Sequence, residues 1–322
     1  RFAAWPGVAR AALAPTALAA TALVALVSVP APVAQAAAGP GSATGSDVPV
    51  AGSGGLGRQV PITLLGGRVP SARSPLRVLL VGDSVMQTES PAIRAALEAT
   101  GAAVVDTAAF PGWGLSSDPT WPTTFPPWLA RFHPDLVVGM WSWDDNLALD
   151  NPTGYRAELS RFVRLLLHPG HGIPGVSGVL FQQFPPLIAV PGTATAVVSE
   201  NRRRDGALAW SRVTSTLPPL FPGRVQYLPL APSVELDGRF AMWLPPLTAP
   251  HAPPAQWIRV RMIDATHFCP AGAARYADAL LTDLQSELHL PAAARSWWSG
   301  SWTKNAYYRA AEGDCPADHP PA

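Results

Sequence analysis

Five short runs of this chain are predominantly apolar: residues 76–81, 102–106, 135–140, 178–184 and 224–228. A strand with one face in water alternates polar and apolar residues. Strands that do not alternate are covered on both faces, which is the signature of a parallel sheet between helices. Helical segments fill the gaps. Residues 91–100 read as a helix opened by Pro91 and closed by Gly101. Residues 126–132, 152–168, 205–217 and 271–288 read the same way. In the stretch 152–168, Tyr155, Leu159, Phe162, Val163 and Leu166 share one broad apolar face, and Pro152 suits the first turn. The expected architecture is α/β: a single three-layer α/β/α domain around a mostly parallel sheet of about five strands. Ligand sites in such sheets lie at the carboxyl ends of the strands.

Composition narrows the partners. Lys plus Arg number 23 against 22 Asp plus Glu, for a net charge of +1, and only 14% of the residues are charged. That balance gives no reason to expect a nucleic acid or a strongly anionic ligand. Hydrophobic residues make up 48%, enough for one sizeable core, and 37 prolines and 27 glycines point to long loops around it. Two cysteines, Cys269 and Cys315, cannot build a metal cluster alone, and no cofactor is expected. They are either free thiols or, in an oxidising compartment, one disulfide tying the tail to the start of the last helix.

The domain layout follows from composition. Residues 1–38 read as a signal peptide or a transmembrane helix: 11–38 carry no charge, Arg1 and Arg10 precede them, and Ala34–Gln35–Ala36 fits a small-x-small cleavage site. A bilayer needs about 20 apolar residues, so the same run is long enough to span one. Either reading places the rest outside the cytoplasm, secreted or anchored to the cell membrane. The first residue is Arg1, so a fragment of a longer chain is one expectation. Residues 39–75 read as a Gly/Ser/Pro-rich tether with a short edge strand at 59–65, residues 76–290 as the main folded domain, and 291–322 as a tail packed on it.

The chemistry sits at two junctions. The first strand runs into Gly82–Asp83–Ser84, and Asp264–Ala265–Thr266–His267 precedes the last helix. A serine hydroxyl is a poor nucleophile until a base takes its proton, and an Asp three residues before a His can orient that base. Ser84 is the candidate nucleophile, His267 the base and Asp264 its orienting carboxylate. Asp83 is expected to brace the turn. A lone Gly-Asp-Ser would more simply place Ser84 as a helix cap. The other six histidines lie in turns, at a helix end or in the tail. Loop aromatics, including Phe110, Trp121, Phe125 and Trp128, read mostly as packing. Trp113 and Trp141 are candidates for a substrate wall, because each lies in a loop after a strand.

Gly82–Asp83–Ser84 after the first strand and Asp264–Ala265–Thr266–His267 before the last helix resemble the SGNH (GDSL-like) hydrolase superfamily, over roughly residues 76–288. Phe268–Cys269–Pro270–Ala271–Gly272 is similar to the family's opening of that helix. The resemblance implies a flavodoxin-like sheet, a Ser-His-Asp triad and an oxyanion hole with three donors. Those would be the backbone N–H of Ser84, that of Gly112 or Gly114 after the second strand, and an Asn side chain after the third. Here Trp141 occupies the Asn position, in Gly139–Met140–Trp141–Ser142. Trp141 Nε1–H, or Asn146 folding back, is the expected substitute. The tryptophan block and the apolar segment–linker–domain layout resemble SGNH domains fused to acyltransferase-3 membrane proteins. That likeness implies transfer of acetyl or other short acyl groups on an envelope glycan or glycolipid, with a membrane acyltransferase in the same chain or complex. The alternatives are a small-ester esterase or lipase with no glycan acceptor, and a catalytically impaired carbohydrate-binding or scaffolding domain.

Overall fold

The computed structural model of the chain describes residues 59–141, 144–187, 196–309 and Cys315. The expected export segment and most of the expected tether lie outside these residues. Among the described residues no helix is long and apolar enough to cross a membrane. The elements run β1 (Leu76–Gly82), α1 (Ser84–Glu98), β2 (Ala103–Ala109), α2 (Trp121–Phe132), β3 (Leu136–Met140), α3 (Asp145–Asp150), α4 (Pro152–Leu167), β4 (Gly178–Gln182), α5 (Ala196–Ser215) and β5 (Val225–Leu228). Two short antiparallel pairs follow, β6 (Glu235–Leu236) with β7 (Arg239–Phe240) and β8 (Trp243–Leu244) with β9 (Ile258–Arg259), before α6 (Pro270–Leu288).

The main sheet has the order β2-β1-β3-β4-β5, and all four pairings are parallel. β3, β4 and β5 are buried at every position, Gln182 and Gln226 included. The chain steps outward from β1 to β2 and then crosses back to β3. Right-handed crossovers therefore put α1 on one face and α2, α4 and α5 on the other. α1 packs on α6, while α4 packs with α2, α3 and α5. The direction reverses between β1 and β3, and the carboxyl ends of the strands at such a reversal are where sheets of this kind place ligand sites.

Three local expectations change. Pro91 does not open α1; the helix begins seven residues earlier, at Ser84, and Pro91 sits inside it. Proline has no N–H for the carbonyl of Gln87, and Ser90 Oγ donates to that oxygen instead (3.1 Å). The segment 59–65 is not a strand. The Gln59 carboxamide makes the edge contact, accepting from Tyr227 N (2.7 Å) and donating to Tyr227 O (2.8 Å). Ile62 and Leu64 are buried, and Arg68 pairs with Asp135 (2.5 Å), so the stretch from Gln59 to β1 is packed on the domain. α3 has no counterpart in the sequence reading, because six residues show too little periodicity to be seen.

The tail lies against α1, with Trp297 and Tyr308 buried there. Cys269 and Cys315 form a disulfide with Cα atoms 5.5 Å apart.

Candidate active site

Each element of the site is placed by a local rule. Gly82 ends β1 where no side chain fits: a Cβ there would lie 2.0 Å from Met140 O and 2.4 Å from Met86 Cβ. Asp83 caps α1 by accepting from Val85 N (2.9 Å). Ser84 is thus the first residue of the helix, at the carboxyl end of β1. Asp83 braces the turn, and Ser84 is left to face the loop before α6.

That loop is a small hairpin. Arg261 and Phe268 form an antiparallel bridge, and Met262 N donates to His267 O (2.9 Å). Ala265 takes a left-handed conformation (φ 57°), a cost of the tight turn for a residue with a Cβ. Asp264 Oδ1 accepts from Thr266 N (3.0 Å) and His267 N (3.1 Å). Its Oδ2 meets His267 Nδ1. On the other side of the ring, His267 Nε2 lies 2.8 Å from Ser84 Oγ. A carboxylate only accepts, so the neutral imidazole carries its proton on Nδ1 and presents the Nε2 lone pair to the serine O–H. Burial pushes the Asp264 carboxyl upward. The His267 hydrogen bond and charge, with the two backbone N–H groups, outweigh it and hold that carboxyl below its ordinary value.

Arg261 supports the hairpin from beneath. It is fully buried, Nη1 donates to Thr266 O (3.0 Å), and the guanidinium lies 4.3 Å over the Phe268 ring. Phe268 is therefore held between Arg261 and Tyr276, whose ring is 5.1 Å away. Cys269 caps α6 and Pro270 is its first residue. The disulfide thus begins two residues after the imidazole.

The residues expected to complete the oxyanion hole divide. Gly112 and Gly114 lie in the loop after β2, and Gly112 has positive φ (73°), which suits glycine. Trp141 does not serve as the donor the sequence suggested. Its indole is fully buried, and Nε1–H donates inside the core to Tyr155 Oη (2.8 Å) and Asp144 Oδ2 (3.0 Å). Its ring meets Trp113, Phe162, Phe181 and Trp210 edge-on. An indole in this environment has no free N–H for substrate. Trp113 is also buried; its Nε1 donates to Asp118 Oδ2 (3.1 Å), so neither tryptophan forms a substrate wall. Asn146 is exposed on α3, and its Oδ1 accepts from Arg202 of α5 (2.9 Å) instead of folding back. Trp121 and Phe125 pack into the same aromatic core around Phe162.

Asp144, Arg261 and Glu89 were not singled out by sequence. All three are buried ionisable side chains, and burial of an ionisable group is invisible until distant segments are assembled around it. Among the described residues no three His, Cys, Asp or Glu side chains gather as a metal site.

Comparison with known proteins adds the following. No family model matches the chain. No curated protein matches it. Among solved structures, an aryl esterase of M. smegmatis is 18% identical with a TM-score of 0.45, covering 66% of this chain and 99% of that one. A carbohydrate acetylesterase from Sinorhizobium meliloti is 17% identical with a TM-score of 0.48, again covering 66% and 99%. A peptidoglycan O-acetylesterase is 15% identical with a TM-score of 0.37, covering 59% of this chain and 48% of that one.

Proposed function

We propose that this chain is an extracytoplasmic serine acyl-transfer enzyme. It acts on O-acyl esters, with acetyl as the leading acyl group, of an envelope glycan or glycolipid. One observation carries the chemistry: His267 bridges Ser84 Oγ and Asp264 with its two ring nitrogens. In the first half-reaction Ser84 Oγ attacks the ester carbonyl carbon as His267 Nε2 takes its proton. Asp264 accepts the Nδ1–H bond and stabilises the imidazolium that forms. The tetrahedral oxyanion faces backbone N–H groups, for which Ser84 and the Gly112–Gly114 loop are the candidates. Collapse breaks the ester C–O bond, and His267 returns the proton to the departing alcohol. In the second half-reaction water or a sugar hydroxyl attacks the acyl-Ser84 carbonyl as His267 takes its proton; the acyl C–O bond to Ser84 breaks, and His267 returns the proton to Ser84 Oγ. The disulfide is consistent with an exported domain. An association with a membrane acyltransferase belongs to the same proposal and is supported by the sequence resemblance alone.

The test is turnover of a p-nitrophenyl acetate substrate and of an acetylated glycan, with and without an acceptor sugar, beside fluorophosphonate labelling of Ser84. Ser84→Ala, His267→Ala and Asp264→Asn are each expected to keep the parent's fold and lose orders of magnitude in turnover. Combined losses should be far less than the product of the single ones, because the three residues act as a unit. Turnover that survives Ser84→Ala ends the serine mechanism. Acyl product on the acceptor sugar assigns transfer; release to water alone assigns an esterase.

A further inference from the structure

The loop after β2 is held by a buried carboxylate. Asp144 follows β3, is 1% exposed, and receives five hydrogen bonds. Oδ2 accepts from Leu115 N (2.7 Å), Trp141 Nε1 (3.0 Å) and Tyr155 Oη (3.2 Å). Oδ1 accepts from Ser116 N (3.2 Å) and from Ser116 Oγ. Two of the five donors are consecutive backbone N–H groups, so the carboxylate fixes the path of the loop and not merely one side chain. A further contact makes the fit close: a Cβ on Gly114 would lie 2.5 Å from Asp144 Oδ1.

The orientation of Asp144 is itself determined. Tyr155 Oη accepts from Trp141 Nε1 (2.8 Å) and Trp210 Nε1 (3.1 Å). A hydroxyl has two acceptor sites and one proton, so with both sites filled the proton points to Asp144. Burial, and after it the Asp144 charge, raise the Tyr155 phenol well above its ordinary value, so it stays a donor. The chain of bonds runs from α5 through α4 to the end of β3 and ends on the β2 loop. It also decides which of the loop's N–H groups remain for substrate. Trp113 N donates to Phe110 O (3.0 Å), and Leu115 and Ser116 donate to Asp144. Gly112 and Gly114 are left as the loop's oxyanion candidates.

We propose that Asp144 is a positioning residue for the oxyanion hole, holding the Gly112–Ser116 loop so that a glycine N–H of that loop faces the carbonyl oxygen of an ester attacked by Ser84. This rests on the serine acyl-transfer reading above. It also explains the tryptophan at the family's Asn position: Trp141 supplies a hydrogen bond to the residue that sets the hole, not to the oxyanion. Asp144→Asn keeps the shape but puts an NH₂ where an N–H donor needs an acceptor, which pushes the loop away. One oxyanion donor is typically worth about 10²–10³ in kcat.

The experiment uses the full chain, with kcat counted per fluorophosphonate-labelled site so that misfolded molecules drop out. Asp144→Asn is expected to lower that kcat by about 10–10³-fold and to leave KM within about threefold, since a donor made only in the transition state does not hold the ground state. The inhibition constant of a boronic acid, which becomes a tetrahedral anion on serine, should rise in parallel. Tyr155→Phe and Ser116→Ala each remove one donor to Asp144 and should give smaller changes of the same pattern. They serve if Asp144→Asn does not fold. Full kcat per labelled site in Asp144→Asn, or in both donor variants, overturns the role of Asp144 and leaves the serine mechanism standing. A parent chain with neither labelling nor turnover overturns both.

Discussion

Asp264, half-buried, and Glu89, fully buried, are carboxyl groups with opposite proton behaviour. Asp264 is held below its ordinary value, so what it adds to stability is present at neutral pH and lost as pH falls through its folded value. Glu89 lies on α1 with no exposure, and burial raises it from 4.5 to about 8, with the Gln182 side chain and the Arg261 charge pulling partly back. Between those values the folded chain holds a proton that the unfolded chain has released. Stability contributed there falls as pH rises from about 4.5 to 8. Glu89→Gln cannot ionise, so its stability relative to the parent should improve from pH 5 to about pH 8 in urea unfolding and then level off. A difference that stays flat over that range rules the titration out. Trp141 belongs to the same scale. With its N–H spent inside the core, Trp141→Phe should cost about 1–3 kcal/mol for the unpaired partners left behind. Asp144 keeps four donors, so kcat per labelled site should fall less than tenfold; a direct oxyanion donor would give about 10²-fold or more.

At the scale of elements, the site depends on how closely β1 and β3 approach just before the nucleophile. Gly82 pairs with Met140 in the sheet and has Met86 of α1 above it. Nothing about its φ requires glycine; the lack of space does. Gly82→Ala should therefore cost about 1–3 kcal/mol or more by overpacking, and should reduce turnover further by shifting Ser84 two residues on. The readouts are the denaturation midpoint and kcat per labelled site. A Gly82→Ala chain with parental values of both would mean that the sheet absorbs a methyl group there. α1 shows the same economy from the other side: Ser90 covers the carbonyl that Pro91 leaves without a donor, which lets the helix run unbroken from Ser84 under the hairpin that carries His267.

For the whole molecule, the disulfide connects the cap of α6 to the tail that lies on α1, so it joins the two helices flanking the triad. Its 46-residue separation corresponds to about 4 kcal/mol of chain entropy removed from the unfolded state. Cys315→Ser, or reduction of the parent, should lower the urea midpoint and lower turnover as the His267 hairpin loses its anchor. Mass spectrometry of unreduced exported protein should show the two peptides linked. Two alkylatable thiols in that sample would remove both the bridge and its bracing of the hairpin.

The sheet was legible in the sequence because burial on both faces leaves a pattern along the chain itself: five predominantly apolar runs became five parallel strands. Ser84, Asp264 and His267 were legible as candidates because each stands beside a strand end or a helix start, where local rules fix the backbone. Their meeting was not: 183 residues separate Ser84 from His267, and only the sheet order places them 2.8 Å apart. The roles of Trp141 and Asp144 were hidden for a stronger reason. A donor's function is set by which acceptor the fold brings to it, and Tyr155, Leu115 and Ser116 reach this pair from α4 and from the β2 loop. Residue type announced that an indole N–H was available. Tertiary structure decided that a buried carboxylate, and not an ester oxygen, receives it.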